Sequence, residues 1–403
     1  MKPYYRIPQR VMTKVTGRMY QEPTLICGAG SLFKVKGLLV DSGVQSVLVV
    51  TTPGFIRRET LQPFFESLEE GELNVTIFSD VVPDPTVECV EALAQAYRDG
   101  ECEAIVAIGG GSVIDCAKVA GALIARPGKT VPQLRGILKV RKELPDFYAV
   151  PTTAGTGSEA TVAAVVTDTI DGKHYKYAIS DFCLVPKYAI LDPELTLSLP
   201  KDITAATGMD ALTHAVEAYT NRFASDLVAE NALEAVKLIF EYLPKAYRNG
   251  DDIDAREKLL IASYKAGVAF TNNYVGYVHA VAHAVGALYE IPHGKACAMI
   301  LPQVMDMYGR SVYKELSDLA RIAKIHGAKT DKEKAAARTF IQNIRWMNLD
   351  MNIPEKILEL KEEDFDEIIK RAITEANPAY PVPQEWGPKK FRRLLNALLV
   401  KER

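Results

Sequence analysis

Cysteine is scarce in this chain of 403 residues, with six (Cys27, Cys89, Cys102, Cys116, Cys183, Cys297) and no CxxC pair among them. That excludes a disulfide framework and a zinc ribbon, and it fits a reducing, cytoplasmic setting. Charge of one sign is lacking too: 48 Lys and Arg stand against 51 Asp and Glu, for a net charge of -3. Such a balance gives no electrostatic footprint for nucleic acid or an anionic membrane, so the expected partner is a small molecule. Long apolar runs are absent as well. Ser46 to Val50 and Ala104 to Ile108 fall far short of the roughly 20 residues that span a bilayer. The opening MKPYYRIPQR carries charge, two tyrosines and two prolines where a signal peptide needs an unbroken apolar stretch.

What is present is enough apolar material, 48% of residues, to fill two cores, and the length exceeds the comfortable size of one. The first half alternates short β-branched runs with helical stretches, the pattern of parallel strands joined by crossover helices. SVLVVTT (Ser46 to Thr52), NVTIFSD (Asn74 to Asp80), AIVAIGG (Ala104 to Gly110), Phe147 to Val150 and Tyr188 to Leu191 read as strands. Thr86 to Arg98 and Ser112 to Ile124 carry helical spacing. From about Asp192 onward, segments rich in Ala, Leu, Glu and Lys follow one another without strands. The expectation is an α/β dinucleotide-binding domain over residues 1–197 with a Rossmann-like parallel sheet, then an all-α metal-binding domain over 198–403. The boundary falls in DPELTLSLPK, where two prolines interrupt the chain. The charged stretch Lys356 to Arg371 reads as the solvated face of a helix, and a final helix starts near Pro388.

Two segments suit a nucleotide. GGGSVIDCAK (Gly109 to Lys118) follows a strand and opens a helix, so its glycines allow close backbone approach and the helix start points N–H groups at an anion. It is neither GxGxxG nor a Walker loop. A tight strand-to-helix turn would have the same composition. PTTAGTGSEAT (Pro151 to Thr161) offers the hydroxyls of Thr152, Thr153, Thr156 and Ser158 to a dinucleotide, and equally resembles a loop capping a helix. CGAGS (Cys27 to Ser31) reads as another strand-to-helix turn.

The histidines say more. Of six in the chain, four lie between His214 and His293. Asp210 and His214 stand four apart in GMDALTHAVEAY, a carboxylate and an imidazole on one helical face. His279 and His283 repeat that spacing, and His293 follows between Pro292 and Gly294. Three or four ligands can therefore converge. An Asp and three His with no Cys suit divalent iron or zinc with an open position for a substrate oxygen, and a structural metal or a polar core cluster would use the same residues. Spacing alone leaves His283 among the candidate ligands. His174 and His326 sit in polar surroundings and draw no role.

These motifs, with AILDPELT and the late NPAYPVP, stand in an order and approximate spacing that closely resemble the iron-containing, metal-dependent alcohol dehydrogenase family, within the dehydroquinate synthase-like superfamily. The resemblance spans most of the chain. It implies metal ligation by Asp210, His214, His279 and His293, with His283 a non-ligand histidine near the nicotinamide and substrate. For the dinucleotide it implies Gly109, Gly110, Gly111 and Ser112 at the pyrophosphate, Thr152, Thr153 and Thr156 in the second loop, Lys176, and Asp84 on the nucleotide side. The activity implied is reversible oxidoreduction between alcohols and aldehydes or ketones with NAD or NADP. Alternatives are a dehydroquinate synthase-like or glycerol dehydrogenase-like enzyme acting on a polyol or sugar phosphate, and a non-catalytic nucleotide-binding scaffold. No Lys/Arg cluster flanks the metal motifs, which weakens the sugar-phosphate reading. The family also implies a homodimer, to which Met1 to Tyr20 would contribute a strand.

This sequence departs from the family pattern twice. Many members carry an aspartate after the strand SVLVVT; here Thr52 stands there, and Arg57 or Arg58 lies near enough in sequence to reach a 2'-phosphate. In FTNNYVGYVH, where many members have small residues, Asn273 and Tyr274 are expected to reshape the substrate pocket, which Phe270 and Tyr274 line. The coenzyme departure is testable. Thr52→Asp adds repulsion against a 2'-phosphate and should move the NADP to NAD preference toward NAD by about tenfold or more, measured as a ratio of kcat/KM values. Unchanged selectivity would remove Thr52 as the discriminator.

Overall fold

The computed structural model describes residues 6–170, 173–328 and 332–400; the side chain of His174 lies outside that description. The chain divides into two compact units, Met19–Ser198, and Leu199–Arg403 together with Met1–Arg18. The opening segment thus departs from the expected 1–197 block. Its described part forms a helix, Arg6–Met19, in place of the strand expected over Met1 to Tyr20; residues 1–5 lie outside the described residues. Its buried face consists of Gln9, Thr13 and Thr16, and the Gln9 amide donates to the carbonyls of Pro378 (2.7 Å) and Tyr380 (3.0 Å). The apolar residues Val11, Val15 and Met19 keep a four-residue helical spacing on the opposite, exposed face.

In the unit Met19–Ser198, the strands in chain order are β1 (Thr24–Cys27), β2 (Ser46–Val50), β3 (Asn74–Phe78), β4 (Ala104–Gly109), β5 (Gly136–Ile137), β6 (Asp146–Pro151), β7 (Ala163–Ile170), β8 (Lys173–Ser180) and β9 (Tyr188–Leu191). Six form a parallel sheet in the order β1-β9-β6-β4-β2-β3. The unbroken apolar runs of β2 and β4 follow from burial on both faces. Val47, Val49, Ala104, Val106 and Ile108 enter one core layer, while Leu48, Val50, Ile105 and Ala107 enter the other. The helices Val87–Asp99 and Gly111–Ala125 pack together in the second layer. A small second sheet joins β5, β8 and β7, with β7 and β8 antiparallel.

The glycine-rich turn and the Thr/Ser loop are tied together from below. Lys118, fully buried, directs Nζ to the carbonyls of Ser158 (2.6 Å), Thr161 (2.7 Å) and Ala163 (3.1 Å). Asp115 accepts from the Ser158 hydroxyl at 2.5 Å and from the Val165 N–H at 2.9 Å. Burial lowers Lys118 to about 8.

In the unit built mainly from Leu199–Arg403, the long helices Lys201–Thr220, Asp226–Arg248 and Ile253–Asn273 pack against one another. Ser225 and Asp252 cap the second and third, accepting from the N–H groups of Val228 and Ala255. Two further helices matter below, Tyr277–Tyr289 and His293–Tyr308. The stretch Lys356 to Arg371 is helical only from Phe365, after a short 3-10 turn at Glu362–Asp364. The final helix runs Pro388–Leu398. Among the described residues no helix is long and apolar enough to cross a membrane.

Lys118 offers the sharpest stability test in this fold. Lys118→Met leaves three carbonyls without their donor inside the core and should lower unfolding stability by about 3 kcal/mol in urea titrations. A loss below about 0.5 kcal/mol would contradict the clamp.

Candidate metal centre

Helical spacing sets up the centre. Asp210, His214 and Glu217 occupy positions i, i+4 and i+7 of the helix Lys201–Thr220, and all three are buried. The helix Tyr277–Tyr289 contributes His279 in its first turn, and His293 opens the helix His293–Tyr308. Two glycines let these backbones close in. A Cβ on Gly294 would lie 2.2 Å from the Ala206 carbonyl oxygen, so only glycine allows His293 to approach the Asp210 helix. A Cβ on Gly276 would meet Glu217 Oε1 at 2.6 Å.

His293 Nε2 lies 3.4 Å and His279 Nε2 3.7 Å from Asp210 Oδ1. Cys297 Sγ is 3.6 Å from His293 Nε2, and one donor atom from each of Asp210, His279, His293 and Cys297 falls within 4.8 Å of the others. The cysteine was not foreseen, although His293 and Cys297 repeat the four-residue spacing that singled out the other pairs. His214 stands beside this group. Its ring stacks on that of His279 at 4.4 Å and 21°, and on Phe270 at 4.2 Å and 19°.

Glu217 anchors the arrangement. Its carboxylate accepts from the N–H groups of Gly276 (2.8 Å) and Val278 (2.7 Å), holding the start of the next helix, and sits 2.6 Å from His279 Nδ1. A proton held on Nδ1 by that carboxylate leaves the Nε2 lone pair toward the cluster. His279 Nε2 and Asp210 Oδ1 are both buried with no hydrogen-bond partner. Orphaned buried polar atoms cost about 1–3 kcal/mol each, which a shared cation would recover.

The electrostatics agree. Burial opposes ionisation of Asp210, but the neighbouring imidazoles, His214 and His293 first, outweigh it and hold the carboxyl well below its usual range. Burial likewise disfavours charge on His293, yet Cys297 and Asp210 raise it to about 10, and Cys297, Asp210 and Glu217 raise His279 well above its usual value. A site that draws protons onto buried imidazoles favours positive charge, and a divalent cation satisfies the same field. The residues present fit such an ion.

His283 sits outside the donor group, its ring stacked on that of His293 at 5.0 Å. Its Nδ1 lies 2.8 Å from Glu375 Oε1, which also accepts from the Tyr380 hydroxyl at 2.8 Å. Burial lowers His283 against the raising effect of Glu375. Glu375 and Tyr380 were missed in the sequence, where the only signal is NPAYPVP, which contains Tyr380 and begins two residues after Glu375. Asn273, expected at the substrate pocket, is instead fully buried and donates to the Ala218 carbonyl at 2.8 Å, pinning the turn before Tyr277. Tyr274 is half-buried with φ of 60°, its ring 6.4 Å from that of Tyr380.

In the sheet unit, Gly109, Gly110, Gly111 and Ser112 lie where β4 passes into its helix, and the first N–H groups of that helix have no intrahelical acceptor. Packing alone already demands glycine here. A Cβ on Gly109 would meet Val113 at 2.4 Å, and one on Gly111 would meet Thr156 at 2.7 Å. Thr153 and Thr156 are half-buried beside Gly110 and Gly111, whereas Thr152 is buried and donates its N–H to the Gly109 carbonyl at 3.0 Å. Lys176 and Asp84, both exposed, pair at 2.6 Å, and the Asp84 N–H donates to Ser112 Oγ at 3.3 Å. Thr52 precedes the short helix Pro53–Arg57, after β2; Arg58 lies over the Phe55 ring at 5.3 Å.

Residues 23–193 match the family model described as iron-containing alcohol dehydrogenase, and residues 204–399 match that for the C-terminal part of the Fe-containing alcohol dehydrogenase family. The chain belongs to the iron-containing alcohol dehydrogenase family. It is an oxidoreductase acting on CH–OH groups. Among similar proteins, an NAD-dependent methanol dehydrogenase of Bacillus methanolicus is 36% identical over 371 residues, covering 90% of this chain and 96% of that protein. A 1,3-propanediol dehydrogenase of Citrobacter freundii is 36% identical over 358 residues, covering 87% and 91%. The crystal structure of a 1,3-propanediol oxidoreductase superposes with a TM-score of 0.89 at 33% identity over 94% of this chain and 99% of that one. An alcohol dehydrogenase from Oenococcus oeni gives 0.89 at 30% identity over 94% and 100%.

If the Glu217 carboxylate sets the His279 tautomer, Glu217→Gln should weaken divalent metal affinity by about 10–100-fold while far-UV circular dichroism stays unchanged. Wild-type affinity in a well-folded Glu217→Gln protein would show the contact to be structural only.

Proposed function

We propose that this alcohol dehydrogenase holds divalent iron or zinc on Asp210, His214, His279 and His293 and interconverts alcohols with aldehydes or ketones using NADP or NAD. The observation carrying the reading is the pair of buried, partnerless atoms, His279 Nε2 and Asp210 Oδ1, 3.7 Å apart, with Glu217 behind the imidazole. Relatives support the cofactors: the methanol dehydrogenase is named NAD-dependent, and a sulfoacetaldehyde reductase from Bifidobacterium kashiwanohense, 29% identical, was crystallised with NAD+. When bound, the ion supplies Lewis acidity at the substrate oxygen and the nicotinamide supplies the hydride acceptor or donor.

The protein's own residues do the rest. Glu217 orients His279, and Gly294 admits His293. Glu375 holds His283 through Nδ1, which leaves Nε2 to take the alcohol proton during oxidation and return it during reduction. Tyr380 shares the same Glu375 oxygen and fixes its direction. Phe270, stacked on His214, and Tyr274 line the substrate pocket. In the sheet unit, the Gly109 to Ser112 turn receives the pyrophosphate, with Thr152, Thr153 and Thr156 beside it and Thr52, Asp84 and Lys176 toward the nucleotide. The neutral Thr52 leaves NADP admissible. A cytoplasmic homodimer completes the reading.

The test is NADH and NADPH oxidation with aldehydes, ketones and keto acids, on protein reloaded separately with ferrous iron and zinc. His279→Ala should abolish turnover together with metal binding. His283→Ala should lower kcat by about a hundredfold or more with the metal retained. Full activity in metal-depleted His279→Ala protein would overturn the assignment.

A further inference from the structure

Away from the metal centre, two cysteines that the proposed function leaves unused face each other in the sheet unit. Cys89 Sγ lies 3.7 Å from Cys116 Sγ. Cys116 is fully buried on the helix Gly111–Ala125, one turn beyond Ser112, whereas Cys89 is half-buried in the first turn of the helix Val87–Asp99. The Cys89 N–H donates to the capping Thr86 hydroxyl at 3.2 Å, and the positive end of the helix dipole there favours a thiolate. The two sulfurs are unequal. Hydrogen bonding with Cys116 first, against burial, lowers Cys89 to about 7, and the same contact first raises Cys116 well above its usual value. Cys89 is thus the partly exposed thiolate, and Cys116 is the thiol that stays protonated behind it. Burial instead pushes the half-buried Cys183 up to about 11, and Cys102 and Cys297 are buried.

We infer that Cys89 and Cys116 form a peroxide-oxidised dithiol site whose disulfide weakens dinucleotide binding. The Cys89 thiolate attacks one peroxide oxygen, the O–O bond breaks, and the departing hydroxide takes a proton to become water. The Cys116 sulfur then attacks the sulfenic sulfur of Cys89. The S–O bond breaks, the Cys116 proton leaves with that oxygen as a second water, and an S–S bond forms. Two thiols thereby give two electrons to one peroxide. Closing 3.7 Å to the roughly 2.05 Å of a disulfide draws the starts of the two helices together. The Asp84 N–H, just before the Cys89 helix, already donates to Ser112 Oγ at 3.3 Å, so the movement reaches the glycine-rich turn. A single reversible bridge is compatible with a reducing setting, where disulfides are transient and redox-sensing. The oxidation site is independent of the proposed function; its effect on affinity rests on the dinucleotide reading of that turn.

The test treats the full chain with hydrogen peroxide in stepwise equivalents and maps its peptides by mass without reduction. Wild type should lose about 2 Da and yield a peptide linked through Cys89 and Cys116. Its NADH and NADPH dissociation constants should rise by about threefold or more and recover with dithiothreitol. Cys116→Ala should stop at a Cys89 sulfenic acid, about 16 Da heavier and captured by dimedone. Cys89→Ser should leave Cys116 unoxidised. The wild-type map decides the matter if either variant fails to fold. Cys89 still a free thiol in excess peroxide, or carried to a sulfinic acid with Cys116 untouched, would overturn the site. The linked peptide with unchanged dissociation constants would overturn its effect on binding. Reduced wild type that binds neither dinucleotide would overturn the dinucleotide reading, and the peptide map would still decide the oxidation site.

Discussion

Glu217 places a carboxylate in the interior of a helical unit, and its surroundings explain why it is there. Two backbone N–H groups and one imidazole nitrogen converge on its carboxylate. The first two fix where the helix Tyr277–Tyr289 begins; the third fixes which nitrogen of His279 faces Asp210. Remove the charge and both the helix start and the histidine tautomer lose their reference. A buried carboxylate without such partners would cost several kcal/mol, so the cluster has to be satisfied as a whole. The same logic extends inward to Asp210, whose ionised form is held by surrounding imidazoles against the cost of burial.

Close backbone approach is the second constraint, and it recurs in both units. Gly276 and Gly294 bring helix starts against Glu217 and the Ala206 carbonyl, while Gly111 admits Thr156. In each place a methyl group would overlap neighbouring atoms, and at Gly294 the overlapped atoms belong to backbone. The glycine-rich turn is therefore required by intramolecular packing before any ligand is considered. Lys118 and Asp115, from the same motif, then bind the Thr/Ser loop from beneath.

Much of this was legible in the sequence. Strands buried on both faces announce themselves as unbroken apolar runs, so β2, β4 and β9 were placed almost residue for residue. The i, i+4 pairs identified Asp210 with His214 and His279 with His283 because helical geometry converts that spacing into a shared face. The rest depended on contacts distant in sequence. Glu375 meets His283 across a separation that no local pattern encodes, and the helix Arg6–Met19 buries polar residues while its apolar spacing, Val11, Val15 and Met19, faces outward. Asn273 looked like a pocket residue because its position was unusual, whereas its amide serves a turn. Cys297 was different: its four-residue spacing from His293 is plain in the sequence.

The most direct measurement of the central claim is anomalous diffraction from crystals grown with zinc, collected on both sides of the absorption edge. The account predicts a single strong peak per chain within bonding distance of Asp210, His279 and His293, with Glu217 still on His279 Nδ1. A fully zinc-loaded crystal with its peak elsewhere, or with those three side chains pointing away from it, would contradict the account.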